Sequence, residues 1–272
     1  MSTSIRIPRA GADGSDGKRE EEELQRRDAI LEAVGFIAER FLREDNWEES
    51  INDALARLGK AADVSRVYIF ENRPGPDGEV LTSQRYEWVA PGIAPQIDNP
   101  DLQDFPLRAA GFARWIDELS RGALICGHVR DFPISEHDAL MVQNILSIAV
   151  VPIFVEQQWW GFIGFDACAA ERAWSTAETD ALRIVARILG AAIQHEKMQA
   201  ALRESEARFR RLAEHAQDLI YRYEFVPRRG FAYVSPAATP ITGYTPEEHY
   251  ADPDLGMKIV HPDDLPLLEQ YF

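Results

Sequence analysis

Cysteine is scarce in this chain. Cys126 and Cys168 are its two cysteines, too few and too far apart for a disulfide framework or a metal-binding spacing. Long apolar runs are missing too. None reaches the length of a membrane span, and the first residues, MSTSIRIPRAGADGSDGKREEEE, lack the apolar core of a secretory signal. A cytoplasmic protein with no membrane insertion is expected. Positive charge is in deficit: 29 Lys and Arg against 45 Asp and Glu leave a net charge of -16. A surface of that sign repels a duplex, so nucleic acid is excluded as a partner; small anionic ligands are not, because they answer to local groups. No P-loop, Gly-rich kinase loop or cyclase signature occurs. Accordingly no catalytic residue and no metal ligand is assigned, and no cofactor is identified.

What is present is globular: 46% hydrophobic and 27% charged residues over 272 positions, enough for one large or two ordinary domains. Residues 1–19 are rich in Gly, Ser, Asp and Arg and read as a disordered tail. From Glu20 a helix is expected, with Leu24, Leu31, Val34, Ala38 and Phe41 on one stripe. A second follows Asn46 as N-cap, carrying Ile51, Leu55 and Leu58 on one face. The period then changes. VSRVYIFEN and VLTSQRYEWVA read as strands joined by the turn RPGPDG. Residues 91–108, with four prolines, form a long irregular loop, a kind often tied to function. GFARWIDELSRG is a short helix, ALICGHV a strand and ISEHDALMVQNI another helix.

The stretch VVPIFVEQQWWGFIGFDAC, residues 150–168, reads as a hairpin broken at Glu156-Gln157-Gln158. Its first strand is apolar on both alternating sets, so it is covered on both sides. The first and last helices supply one cover and residues 91–145 the other, with a ligand space between sheet and excursion. After Trp174 a long helix begins, capped by Ser175 or Thr176 with Glu178 in its first turn. The order describes an antiparallel sheet with helices on it, α+β in class.

SQRYEWVAPGI, GFARWIDELSRG, GHVRDFP, VVPIFVEQQWWGFIGFDAC and WSTAETDAL together resemble a GAF domain, the small-molecule sensory module of bacterial signalling proteins. ESEARFRRLAEHAQDLIYRYE, FAYVSPAATPITGYTPEEHYADP and IVHPDDLPLLE are similar to the front part of a PAS domain. The resemblance implies a GAF domain over residues 20–195, a signalling helix over 196–213 and an incomplete PAS domain over 214–272. It also implies a parent with an output domain, a histidine kinase favoured over a diguanylate cyclase. Candidate ligand contacts are Tyr86, Trp88, Phe105, Trp115 and Phe132, with His128 and Asp166 as polar points. Along the connector, Ile184, Ile188, Ala191, His195, Met198, Leu202, Ser205, Phe209 and Leu212 keep four-three spacing. That is a coiled-coil repeat, and it points to a parallel homodimer, His195 being a seam residue rather than a phosphoacceptor. A neighbouring short stripe, Leu182, Val185, Leu189 and Ala192, should pack on the chain's own sheet.

Two other readings belong to different classes. One is a GAF-type reductase of free methionine sulfoxide, which needs Cys126 or Cys168 as nucleophile. The other is a dimerisation module that binds no ligand because its pocket is filled. An open cavity lined by Trp88, Trp115 and His128 favours sensing; a filled core favours the structural role.

Overall fold

The structure, a computed structural model, describes residues 13–43 and 46–268. It divides after Lys197 into two compact units. The first carries α1 (Asp13–Arg43), α2 (Glu48–Ala62), β1 (Arg66–Pro74), β2 (Val80–Val89), β3 (Phe105–Pro106), α3 (Ala113–Leu119), β4 (Ile125–His128), α4 (Ile134–Met141), β5 (Ser147–Val155) and β6 (Gln158–Ala167). Its closing helix, α5, runs from Thr176 to Glu214 and so crosses the division. The strands form one sheet in the order β3-β2-β1-β6-β5-β4, every neighbour antiparallel.

The apolar hairpin is β5 and β6, paired from Ser147↔Ala167 to Val155↔Gln158. Glu156 and Gln157 turn the corner, both left-handed (φ 51° and 67°). A two-residue turn of this hand matches the strand twist but suits Asn-Gly far better than Glu-Gln. Replacing Glu156-Gln157 by Asn-Gly should stabilise the unit by about 1 kcal/mol, read from urea unfolding; no gain would mean that the polar pair makes compensating contacts.

Both faces of the sheet are covered, as the two apolar sets of β5 require. Ala149, Val151, Ile153 and Val155 join α1, α2 and α5 in one core; Ile148 and Val150 join the excursion in another. Leu182, Val185 and Leu189 of α5 are buried in the first core, with Ala192 packed against it, so the short stripe packs where it was expected. α5 starts on a reciprocal cap: Glu178 N–H donates to Ser175 Oγ (3.3 Å), and Ser175 N–H to Glu178 Oε2 (2.8 Å). The Arg172 guanidinium pairs with the other Glu178 oxygen.

Some boundaries differ from expectation. α1 begins at Asp13, inside the expected tail, whose residues 1–12 lie outside the described residues. Its buried face is Ile30, Val34, Ile37 and Phe41, whereas Leu24 and Leu31 are exposed. Trp47, not Asn46, occupies the N-cap of α2. Asn46 still serves that helix end, its Oδ1 accepting from Glu48 N–H (3.0 Å). α4 stops at Met141 because Asn144 turns left-handed (φ 59°) and Ile145 N–H closes back on Leu140 O (3.2 Å).

The second unit holds a two-stranded ribbon, β7 (Tyr221–Glu224) with β8 (Gly230–Val234), followed by α6 (Ala238–Thr242), α7 (Pro246–Ala251), α8 (Leu255–Lys258) and α9 (Leu265–Leu268). α7 opens on a capping box between Thr245 and Glu248. His261 Nδ1 accepts from Asp263 N–H (3.3 Å), a turn role. A hollow of about 570 Å³ lies on this unit, lined by Tyr221, Tyr223, Phe225, Phe231 and Met257 among others; Tyr221 and Phe225 are more than half exposed.

Candidate functional site

β1 alternates Arg66, Tyr68 and Phe70 with Val67 and Ile69. The latter pair enters the helix-side core; Tyr68 and Phe70 enter the excursion side, where Arg66 also lies. Register places Arg66 directly across from Asp166 of β6, and Phe70 across from Phe162. Tyr68 lies opposite Gly164, where a Cβ would sit 2.4 Å from the tyrosine hydroxyl. Glycine is therefore what lets that ring cross the neighbouring strand.

Between this face and the excursion lies a cavity of about 60 Å³. One wall is a run of aromatics. Phe70 stacks on Phe162 (4.9 Å between centroids, 11° between planes), Trp115 meets Phe162 edge-on at 5.9 Å, and Phe112 links Trp115 to Phe105. Trp115 is held from behind. Its Nε1–H donates to Glu136 Oε2 (3.0 Å), and Arg114 grips the same buried carboxylate through Nε (3.0 Å) and Nη2 (2.6 Å).

The opposite wall is ionic. Arg66, 2% exposed, donates from Nε and Nη2 to Ala94 O (3.2 and 3.1 Å), from Nη2 to Gln143 O (3.0 Å) and from Nη1 to Asp166 Oδ2 (3.4 Å). Glu87 Oε1 stands 3.9 Å from Arg66 Nε. Its Oε2 accepts from Gln96 and Ile97 N–H (2.7 and 3.0 Å). One guanidinium thus ties β1 to β6, to the loop after β2 and to the segment after α4. Asp166 is 1% exposed. Burial raises its pKa to about 7, against the pull of Arg66. Burial, then the neighbouring Asp166, likewise pushes the Tyr68 hydroxyl well above its ordinary value.

Of the seven candidate contacts, Phe105, Trp115 and Asp166 line this cavity. Tyr86 and Trp88 do not. They pack on the helix-side core, the Tyr86 hydroxyl donating to Glu48 Oε1 (2.9 Å) and the Trp88 ring filling the space over Gly59. A bulge explains the displacement. Ile69 pairs with Tyr86 but Phe70 with Gln84, so Arg85 is skipped and the alternation of β2 reverses. Thr82, Gln84 and Glu87 face the cavity instead. His128 and Phe132 also lie off the lining. His128 Nδ1 sits 2.9 Å from Ser147 Oγ, and Phe132 packs on the excursion core under the Arg114 guanidinium, 4.9 Å from its centroid.

The cysteines are free, Cys126 exposed on β4 and Cys168 half-buried after β6. Burial raises the Cys168 pKa, opposite to what a nucleophilic thiol needs. No group of metal-ligating side chains occurs among the described residues, and no described helix is long and apolar enough to cross a membrane. The residues expected to form a seam are, Ile188 apart, outward-facing within the single chain. Ile184, Met198, Leu202, Phe209 and Leu212 are 41–67% exposed; Ala191 and His195 are exposed as well, and Ile188 is half-buried against the helix-side core. Phe209 also meets Tyr233 edge-on at 6.1 Å.

The architecture is an antiparallel six-stranded sheet with helices on one face and, on the other, an excursion enclosing a small cavity. Residues 46–193 match the GAF domain family, and the chain belongs to it. Residues 231–272 match the PAS fold, so the GAF domain is followed by a PAS fold fragment. Over 190 residues, 70% of the chain, it is 42% identical to the methanogenesis regulatory histidine kinase FilI of Methanothrix harundinacea. It is 25% identical over 161 residues, 57% of the chain, to an uncharacterized protein of Azorhizobium caulinodans. The chain spans about a fifth of each of these relatives (21% and 22%). Two solved structures share the fold. A far-red absorbing dark state with bound biliverdin covers 61% of this chain and 99% of its own (TM-score 0.51, 21% identity). A phycocyanobilin-bound GAF domain from a cyanobacterial phytochrome covers 62% and 96% (TM-score 0.50, 19% identity).

Proposed function

We propose that this chain is the sensory part of a signalling protein of the histidine-kinase kind. A small molecule enters the cavity beneath the GAF sheet, and α5 carries the change onward between paired copies of the chain. The observation that carries the reading is the buried ionic wall. Pure packing gains little from burying Arg66 with two carboxylates, since apolar residues of equal volume commonly do as well or better; a site that must recognise a polar molecule does need them. The relay reading is supported by α5, whose first half is built into the GAF core and whose exposed apolar stripe continues past Lys197. Leu31 of α1 borders the same groove as Ile184, beside the charged Arg26, Arg27 and Asp180, so α1 lies next to the start of this stripe. The relative named as a histidine kinase supports that output over a cyclase. A cavity of about 60 Å³ is far too small for a tetrapyrrole, so the pigments of the solved neighbours are not carried over.

Native mass spectrometry of the chain purified under gentle conditions tests both parts. The expected result is a dimer that retains a small molecule on each copy. A monomer at high concentration overturns the pairing; a dimer whose cavity takes no small molecule of any charge leaves only a dimerisation module.

A further inference from the structure

We propose that the cavity beneath the sheet takes a small cation bearing N–H donors, an amine, amidine or guanidine, held between the Asp166 and Glu87 carboxylates. The inference rests on the sensory reading above and specifies its ligand.

The charge inventory sets the sign. Among the described lining residues Arg66 is the sole cation, facing two carboxylates, Glu87 and Asp166. Each guanidinium nitrogen is already committed: Nε and Nη2 to Ala94 and Gln143 carbonyls, Nη1 to Asp166. An anionic ligand would meet two carboxylates and a cation whose nitrogens are spoken for. What stays unmet is of one kind. Asp166 Oδ1, Glu87 Oε1 and Gln84 Oε1 are buried with no donor in hydrogen-bonding geometry. The Tyr68 hydroxyl stands close enough to Asp166 to help hold its charge, and Arg66 Nε is 3.9 Å from Glu87 Oε1, beyond hydrogen-bond reach. Asp166 and Gln84 are 1% and 4% exposed, and the Glu87 side chain 2%. All three residues line the same cavity. Buried acceptors without donors are costly, and carboxylates most of all. A ligand supplying N–H groups and one positive charge answers both deficits together.

Size and walls agree. A water needs about 10–15 Å³ of such space, so about 60 Å³ admits a molecule of roughly four to six non-hydrogen atoms. The apolar wall of Tyr68, Phe70, Trp115 and Phe162 is aromatic, a surrounding that suits ammonium and guanidinium groups when water is excluded. A proton competes for the same place. The groups around Asp166 are Arg66 and Tyr68 of β1, Glu87 of β2 and Cys168 beyond β6. A bound cation keeps the Asp166 carboxylate ionised, so ligand uptake and protonation exclude one another there.

The test is calorimetric titration of the whole chain with methylguanidinium and ethylammonium chloride, against sodium acetate and neutral acetamide of similar size. The expected result at pH 8 is saturable binding of a cation and none of acetate or acetamide. With Asp166 titrating near pH 7, the dissociation constant should rise roughly tenfold for each pH unit below 7. Asp166→Asn and, separately, Glu87→Gln should each weaken binding at least tenfold; Glu87→Gln keeps an oxygen for the Gln96 and Ile97 N–H groups, so one variant stays folded. Binding of acetate or acetamide in place of the cations overturns the inference and leaves the sensory reading standing. Binding of nothing in either class overturns both. Cation binding unchanged in both variants places the site elsewhere and also overturns it.

Discussion

Arg66→Ala should cost the first unit about 3–5 kcal/mol of unfolding free energy, or roughly 10 °C in midpoint, by urea and thermal unfolding. The loss exceeds that of an ordinary surface arginine because Arg66 is 2% exposed and holds four elements. Removing it leaves the Ala94 and Gln143 carbonyls without their donor and Asp166 without its cation. Arg66→Lys keeps the charge, but a single ammonium cannot reach two carbonyls and a carboxylate in the plane of a guanidinium, and should recover less than half. Arg66→Met combined with Asp166→Leu and Glu87→Gln should recover more, since it removes all three charges from the interior. A loss under about 1 kcal/mol in Arg66→Ala would mean that the guanidinium does not tie the excursion to the sheet.

The same cluster fixes a pH dependence. In the unfolded chain Asp166 releases its proton near pH 4; in the folded chain it holds the proton to about pH 7. Between those values the folded state binds more protons, so stability falls as pH rises from 4 to 7 and the term is constant above. Without Arg66, whose charge lowers the Asp166 pKa, the window extends upward. The Arg66→Ala penalty is therefore larger at pH 8 than at pH 5. Asp166→Asn removes this slope in an otherwise intact chain.

Sequence periodicity revealed the sheet, its two covers and the short stripe of α5, because each depends on alternation or helical spacing that apolar residues record directly. The cavity was half legible. Asp166 stood out as an acid in the apolar hairpin, and its partner left a comparable mark: Arg66 shares an alternating set with Tyr68 and Phe70 in a strand that is otherwise core. A charge in such a set demands a buried counter-ion. That signal marks Arg66 as directly as the aromatic residues mark themselves. Tyr86 and Trp88 were misplaced for a different reason. Alternation assumes an unbroken ladder, and the bulge at Arg85 leaves no residue type that announces it. From the next residue, Tyr86, onward every side chain of β2 faces the other layer. His128 and Phe132 belong to an edge strand and its following turn, where the position of the excursion, not periodicity, decides what a side chain meets.

Gly190→Val should be the other severe change, costing about 3 kcal/mol or more. Gly190 lies in α5, where a Cβ would stand 2.2 Å from the Phe154 carbonyl oxygen of β5. That atom is backbone in the central hairpin, so the helix, not the strand, must give way. The matched control is Gly35 of α1, where a Cβ would meet nothing within 4 Å. There, substitution by alanine should stabilise by about 0.5–1 kcal/mol, the ordinary gain of replacing a helical glycine. The pair separates two effects that a single variant confounds, helix propensity and the closeness of helix to sheet. It also bears on signalling. If α5 carries the cavity's state onward, the close approach at Gly190 is what couples the helix to β5, and β5 borders the cavity through Ile148. Gly190→Ala, the milder wedge, should then weaken the stabilisation of α5 by a bound cation, read as hydrogen-exchange protection of residues 182–193, while binding itself stays within threefold of the original. Unchanged transmission with α5 displaced would disconnect the helix from the cavity.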